Sequence, residues 1–100
     1  MSNQSNNYTL SPLARSDLED IWFYSFETWS PDQADIYHRK LVTAFEKIVA
    51  GNIVGRNYSH VREGYFQLVY LSHLIFYRKT GDGIEIMRVL HQSMDIERHI

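Results

Sequence analysis

At 100 residues the chain is long enough for one domain and one core, burying roughly 60–70% of the surface its unfolded form exposes. With no cysteine it has neither a disulfide framework nor a thiolate zinc site, and no apolar run is long enough to cross a membrane. A net charge of −2 lacks the basic excess with which nucleic-acid binders neutralise phosphates, so the composition favours a protein partner.

Residues 1–7 are polar and low in complexity, and read as a disordered leader that does not resemble a signal peptide; residues 8–100 read as a single cytoplasmic domain. Tyr8 to Leu10 is a short strand. Ser11-Pro12 then starts a helix, with serine as N-cap and proline at the first helical position, where its missing N–H costs nothing. Ala14, Leu18, Ile21, Trp22, Ser25 and Trp29 fall on one face of that helix, which predicts a stripe turned to the core. Ser30-Pro31-Asp32-Gln33 repeats the start signal with a capping box, and Ala34, Tyr37, Leu41, Ala44, Phe45 and Ile48 carry a second helix to Ala50-Gly51, an αL cap. Two helices with so short a connection form an antiparallel hairpin.

Residues 52–64 read as a loop. Three strands then form a meander: 66–71, 73–79 after a tight reversal at Ser72, and 84–91 after the turn Thr80-Gly81-Asp82-Gly83. Alternation predicts that Leu68 or Val69, Leu74, Phe76, Ile84, Ile86 and Leu90 meet the helices, with Arg88 inward or at the sheet end beside a bulge near Val89. Tyr70, Tyr77 and Met87 are left on an open second face, and the segment from Gln92 to Ile100 reads as too polar to add much core. The fold class is α+β, in the order β-α-α-β-β-β, a helical hairpin packed on one face of a small antiparallel sheet.

Chemistry is sparse. The five histidines show no His-x3-His pair and no metalloprotease motif, and no glycine-rich phosphate cradle or nucleophile elbow occurs, so neither a metal nor a cofactor is expected. One acid–base constellation stands out, because His73, Arg78, Arg88 and His91 lie on neighbouring strands. An imidazole with guanidinium groups is what RNA cleavage requires, a proton carrier beside a stabiliser of phosphate charge. The same residues have an ordinary structural use, in which Arg78 and Arg88 pair with Glu85 or Asp95 and His91 completes a strand-end hydrogen bond.

A series of short motifs runs through the chain. They are Tyr8-x-Leu10-Ser11-x-x-Ala14, Asp17-Leu18-x-x-Ile21-x-x-Tyr24, Gln33-Ala34-x-x-Tyr37, Gly55-Arg56, Arg62-x-Gly64-Tyr65, His73-x-Ile75-Phe76-Tyr77-Arg78 and Ile86-x-Arg88-Val89-Leu90-His91-x-x-Met94-Asp95. In this order and spacing the chain resembles the ParE toxins of type II toxin–antitoxin systems, within the RelE/ParE superfamily, over residues 8 to 99. The resemblance implies a ParD-like antitoxin as partner, inhibition of DNA gyrase by protein contact rather than enzymatic turnover, growth arrest and plasmid stabilisation. RelE-like relatives instead cleave mRNA on the ribosome with arginines in regions that here read His73 and Gln92-Ser93, which leaves a RelE-type endoribonuclease using Arg88, His91, His73 and Arg78 as the alternative. On the toxin reading, Arg56, Arg62, Arg78 and Tyr77 are the expected antitoxin contacts, and Arg88, His91, Met94, Asp95 and Arg98 form the expected effector surface.

Overall fold

A computed structural model describes residues 7–100, so the expected leader lies outside the described residues except for Asn7, whose carbonyl accepts the Ile84 N–H at 2.9 Å. The elements run β1 (Tyr8–Leu10), α1 (Pro12–Thr28), α2 (Pro31–Ala50), β2 (Arg56–Asn57), β3 (Tyr65–Tyr70), β4 (His73–Lys79) and β5 (Ile84–His91), closed by a 3-10 turn over Ile96–Arg98. The sheet order is β1-β5-β4-β3-β2. It is mixed rather than wholly antiparallel, because β1 pairs parallel with β5 while the other neighbours pair antiparallel.

Both helices start where their serines predict: the Ser11 hydroxyl accepts the Ala14 N–H and the Ser30 hydroxyl accepts the Gln33 N–H. The Ser30 N–H donates to the Ser25 carbonyl at 3.2 Å, closing the joint between the helices. Gly51 ends α2 at φ 80°, a left-handed conformation that costs glycine nothing.

The stripe of α1 is narrower than its spacing suggests. Ala14, Leu18 and Ser25 are buried, but Trp22 is only half-buried, stacking on Phe26 at 5.2 Å and donating its indole N–H to Asp35. Trp29 is 72% exposed, because the backbone leaves the helix at that residue and the 3.6-residue phase is lost. Phe45 of α2 is fully buried, edge-on to Tyr8 at 5.4 Å.

Three expectations for the sheet are overturned. Residues 52–64 are not wholly a loop, since β2 pairs Arg56 with Gln67 and Asn57 with Phe66. In β4 the helix-facing residues are Ile75 and Tyr77, not Leu74 and Phe76. That strand is buried continuously from His73 to Tyr77, so alternation carries no information about its facing. The register shift opposite Phe76 and Tyr77 makes Met87 the extra residue of β5, so the bulge precedes Arg88 and sends Ile84, Ile86 and Val89 to the helices but Leu90 to the far side.

The far side is not open either. Leu74, Phe76 and Leu90 form a second core with Tyr58 and Tyr65, against which Val61, Met87, Ile96 and Ile100 pack. The chain's own β2–β3 connection and its last residues supply that cover. Two arginines fasten the end, with Arg62 donating to the Ile100 carbonyl at 2.8 Å and Arg88 to the His99 carbonyl. A chain ending at His91, without the segment that reads from sequence as too polar to add much core, therefore loses two apolar anchors and both of these bonds. Its denaturation midpoint is expected to fall by the equivalent of about 2–4 kcal/mol, as measured by urea titration.

Candidate functional site

Along α1, Asp17 lies between Ala14 and Ile21 on the face turned to β5, and its carboxylate meets that strand where β1 stops. Because β1 reaches only Ile86, the Val89 N–H would be an unpaired edge donor; Asp17 Oδ2 accepts it at 2.9 Å. The same oxygen accepts Arg88 Nε at 2.8 Å, and Oδ1 accepts Arg88 Nη2 at 2.9 Å. This is a two-pronged ion pair with side chains only 14% and 12% exposed. The hydrogen bond that Arg88 donates to Asp17 raises the Arg88 pKa further, against the desolvation that would lower it.

Beside this pair, α1, the start of α2 and the ends of β4 and β5 enclose a groove of about 750 Å³. Tyr24 and Trp29 stand on its helical wall, Tyr37 and His73 on its floor, and His91 and Met94 at the strand end. His73 and His91 are paired across the strands with rings edge to face at 5.3 Å. His73 Nδ1 lies 2.6 Å from the Tyr37 hydroxyl. Burial, reinforced by His91, pushes the His73 pKa down to about 4, so the imidazole is neutral near pH 7. His91 is exposed, and its Nδ1 accepts the Ser93 N–H at 3.1 Å, so the neutral ring carries its proton on Nε2.

The neutral His73 predicts a pH dependence. Its folded-state pKa lies below the value near 6.5 of an unfolded histidine, so between about pH 6.5 and 4 the unfolded chain binds the extra proton. Stability is complete above that window and is lost as pH falls through it, by up to about 3 kcal/mol. In thermal melts from pH 7.5 to 4.5, wild type is expected to lose more stability toward the acid end than His73→Leu does.

Of the four expected acid–base residues, the structure brings His73 and His91 together and places Arg88 on Asp17 nearby. Arg78 does not join them: it lies at the other end of β4, where Nη2 pairs with Glu85 at 2.8 Å. Among the expected antitoxin contacts, Arg56 donates to the Gln67 side chain, and Arg62 lies over the Tyr65 ring while holding Ile100. These two and Arg78 are exposed. Tyr77 is not a surface residue: it is 3% exposed in the helix-facing core, and its hydroxyl accepts the Gly55 N–H at 2.8 Å. A Cβ at Gly55 would sit 2.8 Å from that hydroxyl oxygen, so only glycine permits the approach. Of the expected effector residues, Met94 is 37% exposed, and Asp95 and Arg98 are exposed around the 3-10 turn. Sequence reasoning missed Asp17 and Tyr37 as site residues. The signal for Asp17 was present, since a carboxylate between Ala14 and Ile21 interrupts an apolar stripe.

No helix among the described residues is long and apolar enough to cross a membrane, and among them no group of three or more His, Asp or Glu is placed to hold a metal ion. The chain is 43% identical over 97 residues to Toxin ParE1 of Mycobacterium tuberculosis, covering 96% of this chain and 99% of that protein. It is 42% identical over 93 residues to Toxin ParE1 of Caulobacter vibrioides, covering 93% and 96%. Its fold superposes on a chain of the solved chromosomal ParDE TA system from P. aeruginosa with a TM-score of 0.73 at 19% identity, covering 88% of this chain and 98% of that one. The family profile described as ParE toxin of type II toxin-antitoxin system, parDE, matches residues 8–96, and with these relatives it shows that the chain belongs to the ParE toxin family.

Proposed function

We propose that this ParE-type toxin arrests growth in the cytoplasm by binding DNA gyrase through protein contact, and that a ParD-like antitoxin neutralises it. The observation that favours protein contact over RNA cleavage is the state of the cationic groups. Arg88 spends Nε and Nη2 on Asp17 and Nη1 on the His99 carbonyl, and Arg78 is engaged with Glu85 at the far end of β4. Cleavage of RNA needs a free cation facing the scissile phosphate beside a titrating base. His73, held neutral against Tyr37, is a poor proton carrier at physiological pH.

The partner reading draws support from the groove, whose exposed Tyr24 and Trp29 stand beside polar side chains, the mixture that a peptide segment folding on binding requires. The P. aeruginosa structure is described as a ParDE system, which agrees with an antitoxin of ParD type.

Two assays on the same purified chain separate the readings. Supercoiling of relaxed plasmid by gyrase is expected to fall with increasing toxin and to recover on addition of antitoxin. Primer extension on cellular mRNA is expected to show no new 5′ ends. New ends together with intact supercoiling would transfer the function to the RelE-type endoribonuclease.

A further inference from the structure

We propose that Asp17 is a positioning residue for the C-terminal segment: through Arg88 it fastens the backbone at His99 and so fixes how Met94 and Arg98 are presented to the target. The inference rests on the reading above in one respect, that this segment meets the target; its physical core does not depend on it.

Three parts of the chain meet at the Arg88 guanidinium. Asp17 is in the second turn of α1, Arg88 follows the β5 bulge, and His99 lies just beyond the 3-10 turn. The guanidinium is a rigid planar fork. Two of its nitrogens are held by Asp17 at 2.8 and 2.9 Å, which leaves Nη1 aimed at the His99 carbonyl at 2.6 Å. Arg88 cannot turn to solvent without breaking both bonds to Asp17. The segment has no comparable internal support, since the 3-10 turn is held by single backbone bonds, Arg98 N–H to Asp95 and His99 N–H to Ile96, and has no side-chain cap. Arg62 supplies an exposed second tether at Ile100. Ile96 and Ile100 pack on the second core, but apolar packing is non-directional and does not by itself fix the facing of the exposed Met94 and Arg98.

The test uses two variants of the full chain. Asp17→Asn keeps an oxygen for the Val89 N–H but removes the charge that grips Arg88. Arg88→Lys keeps the charge pair with Asp17, and with it the cap on Val89, but a single ammonium cannot present the two faces of the fork. In both, the Arg98 and His99 amides are expected to exchange with solvent about tenfold faster, while the β3–β4 ladder loses no more protection than the change in global stability read by urea titration accounts for. Antitoxin binding is expected to persist, and the toxin concentration that halves gyrase supercoiling is expected to rise about tenfold, the loss of ~1.4 kcal/mol of target binding.

Tail exchange that quickens only as far as the global loss of stability accounts for would make the pair a plain stabiliser and overturn the proposal. So would unchanged tail exchange, or loosened tail amides with wild-type inhibition. If Asp17→Asn fails to fold, Arg88→Lys decides alone by the same readouts. A wild-type chain inert on gyrase sinks the gyrase reading only; the growth arrest caused by the two variants at matched expression then replaces supercoiling, and arrest equal to wild type despite a loosened tail overturns the positioning role.

Discussion

Phe45→Ala is expected to remove most of the chain's stability at 25 °C, whereas Trp22→Ala is expected to keep most of it. Phe45 has no exposed surface and lies where α2, β1 and the sheet converge, edge-on to Tyr8 and within the cluster that contains Ile75, Ile86 and Val89. Truncating a buried phenylalanine costs about 3–5 kcal/mol, because the lost transfer energy is added to the cost of a cavity its neighbours cannot close. A domain of this size holds about 5–15 kcal/mol in all, with small ones near the bottom. Trp22 instead stacks on Phe26 at the hairpin surface and donates to an exposed Asp35, so its removal leaves no sealed void. Its cost is about 1–2 kcal/mol. Chemical denaturation followed by far-UV circular dichroism checks both, and equal losses would mean that the outer face of the hairpin bears as much of the fold as the inner one.

The contrast between those two residues also marks what the sequence could reveal. Helix starts were legible because Ser11-Pro12 and Ser30-Pro31 act locally, through a hydroxyl on an N–H three residues on. The end of α2 was legible for the same kind of reason, at Gly51. Facing was legible where one side of an element meets water, as in α2, whose buried positions are Ala34, Leu41, Ala44, Phe45 and Ile48. It was not legible in β4, where both faces are covered and every residue from His73 to Tyr77 is buried. β2 escaped notice because it is two exposed residues long and exists only through its pairing with β3. The cover over the far side escaped because Ile96 and Ile100 are isolated apolar residues in a polar stretch.

The candidate site shows the same division. The signature around Arg88 and His91 lies at the end of the sheet where His91 stands across from His73. What that signature does not contain is the partner of Arg88, since Asp17 is 71 residues away and nothing local connects them. Alternation alone turns Arg88 inward, but the bulge at Met87 sets it opposite Phe76 of the far-side core, so its reach back to α1 is not legible in the pattern. Tyr37 and His73, 36 residues apart, meet only because α2 crosses the start of β4.

Arg88→Ala is expected to be among the most damaging substitutions in the chain, and to be so for an electrostatic reason rather than a packing one. The substitution leaves Asp17, 12% exposed, with a single hydrogen bond from the Val89 N–H and no counter-charge. Removing one partner of a buried pair costs about 3–5 kcal/mol, most of it the desolvation of the charge left behind. The reverse substitution, Asp17→Asn, is expected to cost less, because a long arginine side chain can carry its charge to water. Combining Asp17→Asn with Arg88→Met should therefore recover much of the stability that Arg88→Ala loses: no charge remains to be buried, an amide oxygen still accepts the Val89 N–H, and an unbranched side chain fills the space. The double variant still lacks the arm that holds the His99 carbonyl, so it is expected to melt near wild type and yet to inhibit poorly. Urea titrations of the two single variants, Arg88→Met and the combination give the coupling between the two positions directly. A coupling near zero would mean that the carboxylate and the guanidinium are each solvated in the folded chain, and that the short distances between them carry little energy.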